Sequence, residues 1–211
     1  MKEVSGKWSG PEAGEHYAVS RFRSTRAEAR DPRLVARLLA RHGVRADRGG
    51  LLDVPCGTGR LYEVLAAAGE PVTSVDVAPS MLQRPGPAAR RVLASADRLP
   101  FADGSFDVVV CCRLLHHLRA AADLERVVAE LVRVSSRLVI ASFWDAGSLP
   151  AWRVRVGLKR DEGPRGRTAF PRSRMARRFT ESGAVVLEFA HCFRFLSQQT
   201  FLCARKQGGP D

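Results

Sequence analysis

Short, nearly unbroken apolar runs alternate along this chain with stretches whose apolar residues recur every three or four positions. The runs are Leu51–Val54, Val72–Val77, Arg91–Ala94, Phe106–Cys112 and Arg137–Phe143, and each predicts a strand. Phe106–Cys112 contains no polar interruption after Asp107, the pattern of a strand buried on both faces. The periodic stretches predict helices. One begins at Asp31-Pro32, with Asp31 as its cap, Leu34, Val35, Leu38 and Leu39 on one face and Gly43 beyond its end. A second carries Leu61, Val64, Leu65 and Ala68 and stops at Gly69. Ala121–Val134 presents Leu124, Val127, Val128 and Leu131 on one face, and Ser173–Glu181 is closed by Gly183. Val185–Phe195 and Thr200–Arg205 alternate as a final strand pair. Strand and helix in alternation predict an α/β fold built on a parallel sheet.

The stretch Leu51–Gly69 reads as strand, glycine-rich turn, helix, the first half of a βαβ unit with a ligand loop at its centre. Glycine at 57 and 59 permits a sharp turn and a close ligand. A dinucleotide loop would place a third glycine at position 62, where this chain has Tyr62. The spacing is instead Asp53-x-x-x-Gly57-x-Gly59, with Asp76 near the end of the next apolar run, placed to accept both hydroxyls of a ribose.

This stretch resembles motif I of the class I S-adenosylmethionine-dependent methyltransferases, by motif over residues 50–143 and by element order beyond. The resemblance implies a Rossmann-like, doubly wound sheet of seven strands, mostly parallel with one antiparallel strand, and helices on both faces. It implies S-adenosylmethionine as cofactor, with Asp76 on the ribose and Val77 on the adenine. It matches Asp97 to the adenine amino group and the Arg98 backbone N–H to the neighbouring ring nitrogen. The segment Ala78–Leu82 is then expected to start a helix. Asp53 is expected to cap the loop's N–H groups while helping to fix the cofactor amine. Pro55, Cys56, Thr58, Met81 and Cys112 complete the candidate cofactor-binding set with Gly57 and Gly59. Met81 also reads as core, and Pro55 stands where the family most often has glycine, removing a backbone donor.

A methyl acceptor needs a base only if it is protonated at working pH. His116 and His117 follow the fourth strand, and as neighbours only one of them is expected to face substrate. Tyr17, with His16 a weaker candidate, lies in an amphipathic stretch expected to cover the cofactor mouth.

Length changes this picture little: 211 residues suit one domain. Its parts are a lid and helix (1–45), a cofactor-binding core (46–143), a substrate cap (144–182) and a strand pair (183–206). No apolar run approaches a membrane span, and MKEVSGKW lacks the apolar core of a leader. Five cysteines, odd in number and two adjacent, have no metal spacing and suggest reduced thiols in a cytoplasm.

The net charge of +12, mostly from arginine, opens a second possibility. Residues 151–178 carry ten basic side chains against Asp161 and Glu162. They suit either an RNA platform or a cap that packs Trp152, Val154, Val156 and Leu158 over the pocket. Too few aromatics accompany the arginines for base stacking, so the cap is expected. The expected function is methyl transfer to a small molecule by in-line displacement. A tRNA or rRNA methyltransferase and a catalytically inactive fold acting as an interaction partner are the alternatives, and Tyr62 disfavours a nicotinamide oxidoreductase.

Overall fold

A computed structural model describes residues 30–44, 50–83, 86, 89–158, 167–191 and 197–209. His16 and Tyr17 lie outside them. The strands are β1 (Leu51–Asp53), β2 (Val72–Asp76), β3 (Arg90–Leu93), β4 (Phe106–Cys111), β5 (Ser135–Asp145), β6 (Ala169–Phe170), β7 (Ala184–His191) and β8 (Gln199–Lys206). The helices are α1 (Arg30–Arg41), α2 (Tyr62–Ala68), α3 (Pro79–Leu82), α4 (Ala121–Val134), α5 (Leu149–Arg155) and α6 (Arg172–Glu181). A 3-10 turn, Leu115–His117, sits between β4 and α4.

The sheet runs β3-β2-β1-β4-β5-β8-β7, with β6 paired to the end of β5. Only β8 runs against its neighbours, β5 and β7. The expected seven strands are all present, and β6 is an eighth, too short to leave a periodic trace. Successive residues of the central strands enter opposite cores. Leu51, Val108, Val110 and Ile140 pack with α1 and α2 on one face. Leu52, Val109, Cys111 and Val139 pack with α4 and α6 on the other. This two-sided burial explains the unbroken apolar run at 106–112, since each Val or Leu so buried stabilises by about 1.5–3 kcal/mol.

β5 is longer than its apolar run, because the chain leaves α4 at Val134 and enters the strand at Ser135 without a loop. Tyr62 opens α2 and lays its ring on Gly86, where a Cβ would stand 1.9 Å from a ring carbon. Asp31 departs from its expected place as the helix cap. It lies in the first turn of α1, buried, with Oδ2 accepting from Arg113 Nε at 2.6 Å and facing Arg60 Nη2 at 3.3 Å.

Candidate functional site

The chain steps from β1 out to β2 and β3, then returns to place β4 on the other side of β1. Crevices form at such a reversal, outside the carboxyl ends of the strands. A cavity of about 820 Å³, counting its open mouth, lies there. Asp53, Pro55, Cys56, Gly57 and Thr58 line it after β1, Asp76, Val77 and Met81 after β2, and Cys112, Arg113, Leu114 and His117 after β4. Arg60 and Leu61 close the wall towards α2.

The loop after β1 is held from below. Val54 N–H donates to Val110 O at 2.9 Å and Cys56 N–H to Val75 O at 2.8 Å. Gly57, at φ +53°, aims its N–H at Asp76 Oδ2 (2.9 Å), and Ala78 N–H meets Asp76 Oδ1 (2.9 Å). The expected loop cap is therefore Asp76 and not Asp53. Register explains the exchange: Asp53 pairs with Ser74 and Val110 in the sheet and lies beneath the loop, whereas Asp76 ends β2 beside Gly57. Neither carboxylate oxygen of Asp53 has a hydrogen-bond partner, although the residue is only 1% exposed. Burial pushes its carboxyl up to about 8, with Arg60 opposing and Asp76 adding to the rise. Burial also raises Asp76, against the N–H donors of Ala78 and Gly57 that favour its charged form. A Cβ built on Gly57 would meet nothing within 4 Å, so the loop backbone is open to close approach from the cavity.

A second hollow of about 540 Å³ adjoins the first and shares Arg113 and His117 with it. His116, Trp144, Arg167, Ser197, Gln198 and Gln199 complete its lining. The His116 ring stacks on Trp144 at 5.0 Å and 12°, His117 lies 4.4 Å from His116, and the Arg167 guanidinium covers Trp144 at 4.7 Å. Arg113 has the left-handed backbone, φ +62°, that costs a side-chain-bearing residue of order 1–3 kcal/mol. Its N–H donates to Ser142 Oγ at 2.7 Å, and Gln199 Nε2 donates to the same oxygen at 2.6 Å.

Residues 52–138 match the methyltransferase domain family. Over that stretch the chain is similar to methyltransferase domains. The chain is 35% identical over 124 residues to the demethylmenaquinone methyltransferase of Thermobifida fusca, covering 51% of each chain. It is 32% identical over 108 residues to a ubiquinone biosynthesis O-methyltransferase of Xanthomonas oryzae pv. oryzae, covering 46% of this chain and 45% of the relative. The chain thus spans about half the length of the curated relatives it matches. The fold is similar to that of magnesium protoporphyrin IX methyltransferase from Synechocystis with bound S-adenosylhomocysteine, at TM-score 0.76 and 17% identity over 98% of this chain and 99% of that one. It is also similar to 1,6-didemethyltoxoflavin-N1-methyltransferase of Burkholderia thailandensis, at TM-score 0.61 and 18% identity over 94% and 91% of the two chains.

Three of the expected cofactor residues stand apart from the first cavity. Gly59 does not line it. At φ +75° it makes the turn, its N–H bonded to Cys56 O and its own carbonyl accepting from Tyr62 N–H. Asp97 faces Arg126 at 3.9 Å, and the Arg98 N–H is engaged with Ser95 O at 3.0 Å in a tight turn. The two histidines correct another expectation. Both rings line the second hollow, because the 3-10 turn sets them side by side, and only His117 also reaches the first. Cys112 borders the first cavity with its thiol pushed up to about 12 by burial, and burial raises Cys56 and Cys111 likewise. These are inert thiols.

The expected cap also differs. Trp152, Val156 and Leu158 are 46%, 45% and 70% exposed, and α5 buries none of its residues, so the stripe does not close the pocket. Arg60, Arg113, Trp144, Arg167 and Gln199 are the lining residues that sequence reasoning missed. Arg113 and Trp144 stand at or just beyond the carboxyl ends of β4 and β5, and that rule of position could have found them. Among the described residues one trio approaches metal-ligand spacing, His42, Glu188 and Cys203, but Arg41 already holds Glu188 at 2.6 Å.

Proposed function

We propose that this chain transfers a methyl group from S-adenosylmethionine to a small-molecule acceptor. The observation that carries the reading is Asp53, a buried carboxylate without a hydrogen-bond partner facing a cavity roofed by an open glycine loop. The residues present fit an aminoacyl nucleoside. Asp53 suits its ammonium, Gly57 the close approach of its chain, and Asp76 the ribose hydroxyls. Val77 and Met81 offer apolar surface to the base. Asp97 and Arg98 are proposed for the base edge, which requires the Arg98 N–H to leave or share Ser95. The relatives named as quinone and toxoflavin methyltransferases support a small acceptor. Residues 1–211 act in this reading as one domain, in a reducing cytoplasm that suits the buried free thiols of Cys56, Cys111, Cys112 and Cys203.

The bound cofactor supplies a methyl already activated by its sulfonium, so the protein's contribution is mainly orientation and exclusion of water. His117 stands on the wall shared by the two cavities, where an imidazole nitrogen can take a proton from an acceptor hydroxyl or amine and pass it to solvent. His116 lies beside it, its ring 4.4 Å away and tilted, and stacks in turn on Trp144. Tyr17 is proposed as a further group over the cofactor mouth.

Calorimetry with S-adenosylhomocysteine and radiolabelled methyl transfer into fractionated host extract test the reading together. Asp76→Ala is expected to weaken S-adenosylhomocysteine binding by about 2–3 kcal/mol, through lost ribose contacts and an unlatched Gly57. Unchanged affinity in the folded variant refutes the ribose assignment. Incorporation into RNA alone refutes the small-molecule acceptor.

A further inference from the structure

A neutral acceptor needs no cation beside it, yet the second hollow is walled by two guanidinium groups and two imidazoles, Arg113, Arg167, His116 and His117. Among the described residues no carboxylate lines it. Asp31, which sits outside the lining, is shared between Arg113 at 2.6 Å and Arg60 at 3.3 Å. Arg167 meets no carboxylate at ion-pair distance among the described residues and keeps its charge over Trp144. An electropositive hollow of this kind holds an anion more favourably than a neutral molecule, which would leave the guanidinium groups desolvated without compensation.

Shape narrows the anion. Trp144 and His116 are stacked within 12° of parallel, with His117 tilted beside them and Arg167 over Trp144, so the rings cover one another's faces and the wall is aromatic mainly at its edges, which suit the face of a ligand ring. A guanidinium held over Trp144 still has its N–H fork for the two oxygens of a carboxylate. The N–H of Arg113, in its left-handed conformation, is held by the Ser142 hydroxyl, which Gln199 also grips, so two residues from two strands, β5 and β8, fix its position between the cavities. A volume of about 540 Å³ admits one or two fused rings with a substituent.

Building on the methyl-transfer reading, we propose that the acceptor is a planar aromatic acid. Its ring lies along the Trp144, His116 and His117 wall, and its carboxylate sits between Arg113 and Arg167. The reacting substituent then faces His117 and the first cavity. The curated relatives carry names of quinones, whose rings are neutral, so the inference separates this chain from them by charge.

The experiment is calorimetric binding of 2-naphthoate and its neutral amide, 2-naphthamide, to the full chain saturated with S-adenosylhomocysteine. The acid is expected to bind about tenfold or more tightly than the amide. Arg167→Ala is expected to abolish that preference while amide binding persists through the rings, and Arg167→Lys, which keeps the charge and loses the fork, to retain part of it. Equal binding of acid and amide by the native chain overturns the proposal, as does an acid preference that survives Arg167→Ala. S-adenosylhomocysteine affinity on the same samples keeps the two readings apart. Its absence refutes methyl transfer, and the inference falls with it. Its presence with no acid preference refutes the inference alone.

Discussion

Asp53 carries a conflict between folding and function in one side chain. Its carboxyl is raised to about 8 by burial, so at neutral pH the folded chain without ligand holds a proton there that the unfolded chain has lost. Between pH about 4 and 8 the native state therefore binds more protons than the unfolded state, and stability falls as pH rises through that window. Asp53→Asn removes the cost while keeping the shape. Its unfolding free energy at pH 8 is expected to exceed that of the native chain by about 2–4 kcal/mol, with the gap closing towards pH 4. Denaturant melts at the two pH values check this, and a pH-independent difference contradicts it. The same substitution is expected to weaken S-adenosylhomocysteine, because an ammonium placed against Asp53 favours its charged form. Binding at pH 7 then expels the Asp53 proton. Calorimetry in buffers of differing ionisation enthalpy should register release of about one proton by the native chain and none by Asp53→Asn.

At the scale of elements, the site is assembled by ties between segments far apart in sequence. Asp31 on α1 clamps Arg60, in the loop between β1 and α2, and Arg113, in the loop after β4, across separations of 29 and 82 residues. Removing it leaves two guanidinium groups without their shared partner in a half-buried position. Asp31→Ala is expected to cost about 2–4 kcal/mol, the lower part of the range for a broken buried ion pair, and to weaken ligand binding in both cavities. Denaturant unfolding with an unchanged m-value, alongside S-adenosylhomocysteine titration, measures both effects. The same separations explain what the sequence conceals. Strands β2, β4 and β5 and helix α4 were legible because burial on both faces, or on one stripe, writes a period of its own. The loop of Asp53, Gly57 and Asp76 was legible as spacing, but the division of labour between its two acids was not, since it depends on the register of β1 against β2. Asp31-Pro32 has the composition of a helix cap whether or not arginines await it. The second hollow draws on residues 113–117, 144, 167 and 197–199, which no local pattern joins. The cap expected to pack Trp152, Val154, Val156 and Leu158 over the pocket rested on composition, and α5, which holds the first two, buries none of its residues.

At the scale of the whole molecule, the question is where a net charge of +12 resides and what it attracts. Among the described residues of the 151–178 segment, three arginines are paired with carboxylates. Arg172 Nε binds Asp145 at 2.7 Å, Arg178 bridges Glu125 and Glu181, and Arg177 faces Glu181 at 3.7 Å. Arg133, outside the segment, is bound to Glu130 and Asp103, which raises its already high proton affinity. A polyanion gains affinity from each cation that releases a counterion, and a guanidinium already paired with a carboxylate releases few. Exposed pairs of this kind are individually worth about 0–1 kcal/mol, so they do little for stability, but they remove the row of uncompensated charge that an RNA groove requires. The full chain is therefore expected to bind tRNA and rRNA no better than non-specifically, at about 10 μM or weaker near physiological salt. The logarithm of its affinity is expected to fall with that of salt concentration at a slope shallower than about −3, fewer than four neutralised phosphates. Filter binding over a salt series measures both quantities. A sub-micromolar constant with a slope of −5 or steeper, joined to methyl incorporation into the bound RNA, contradicts the small-molecule reading and would make the arginines of this segment its principal contacts.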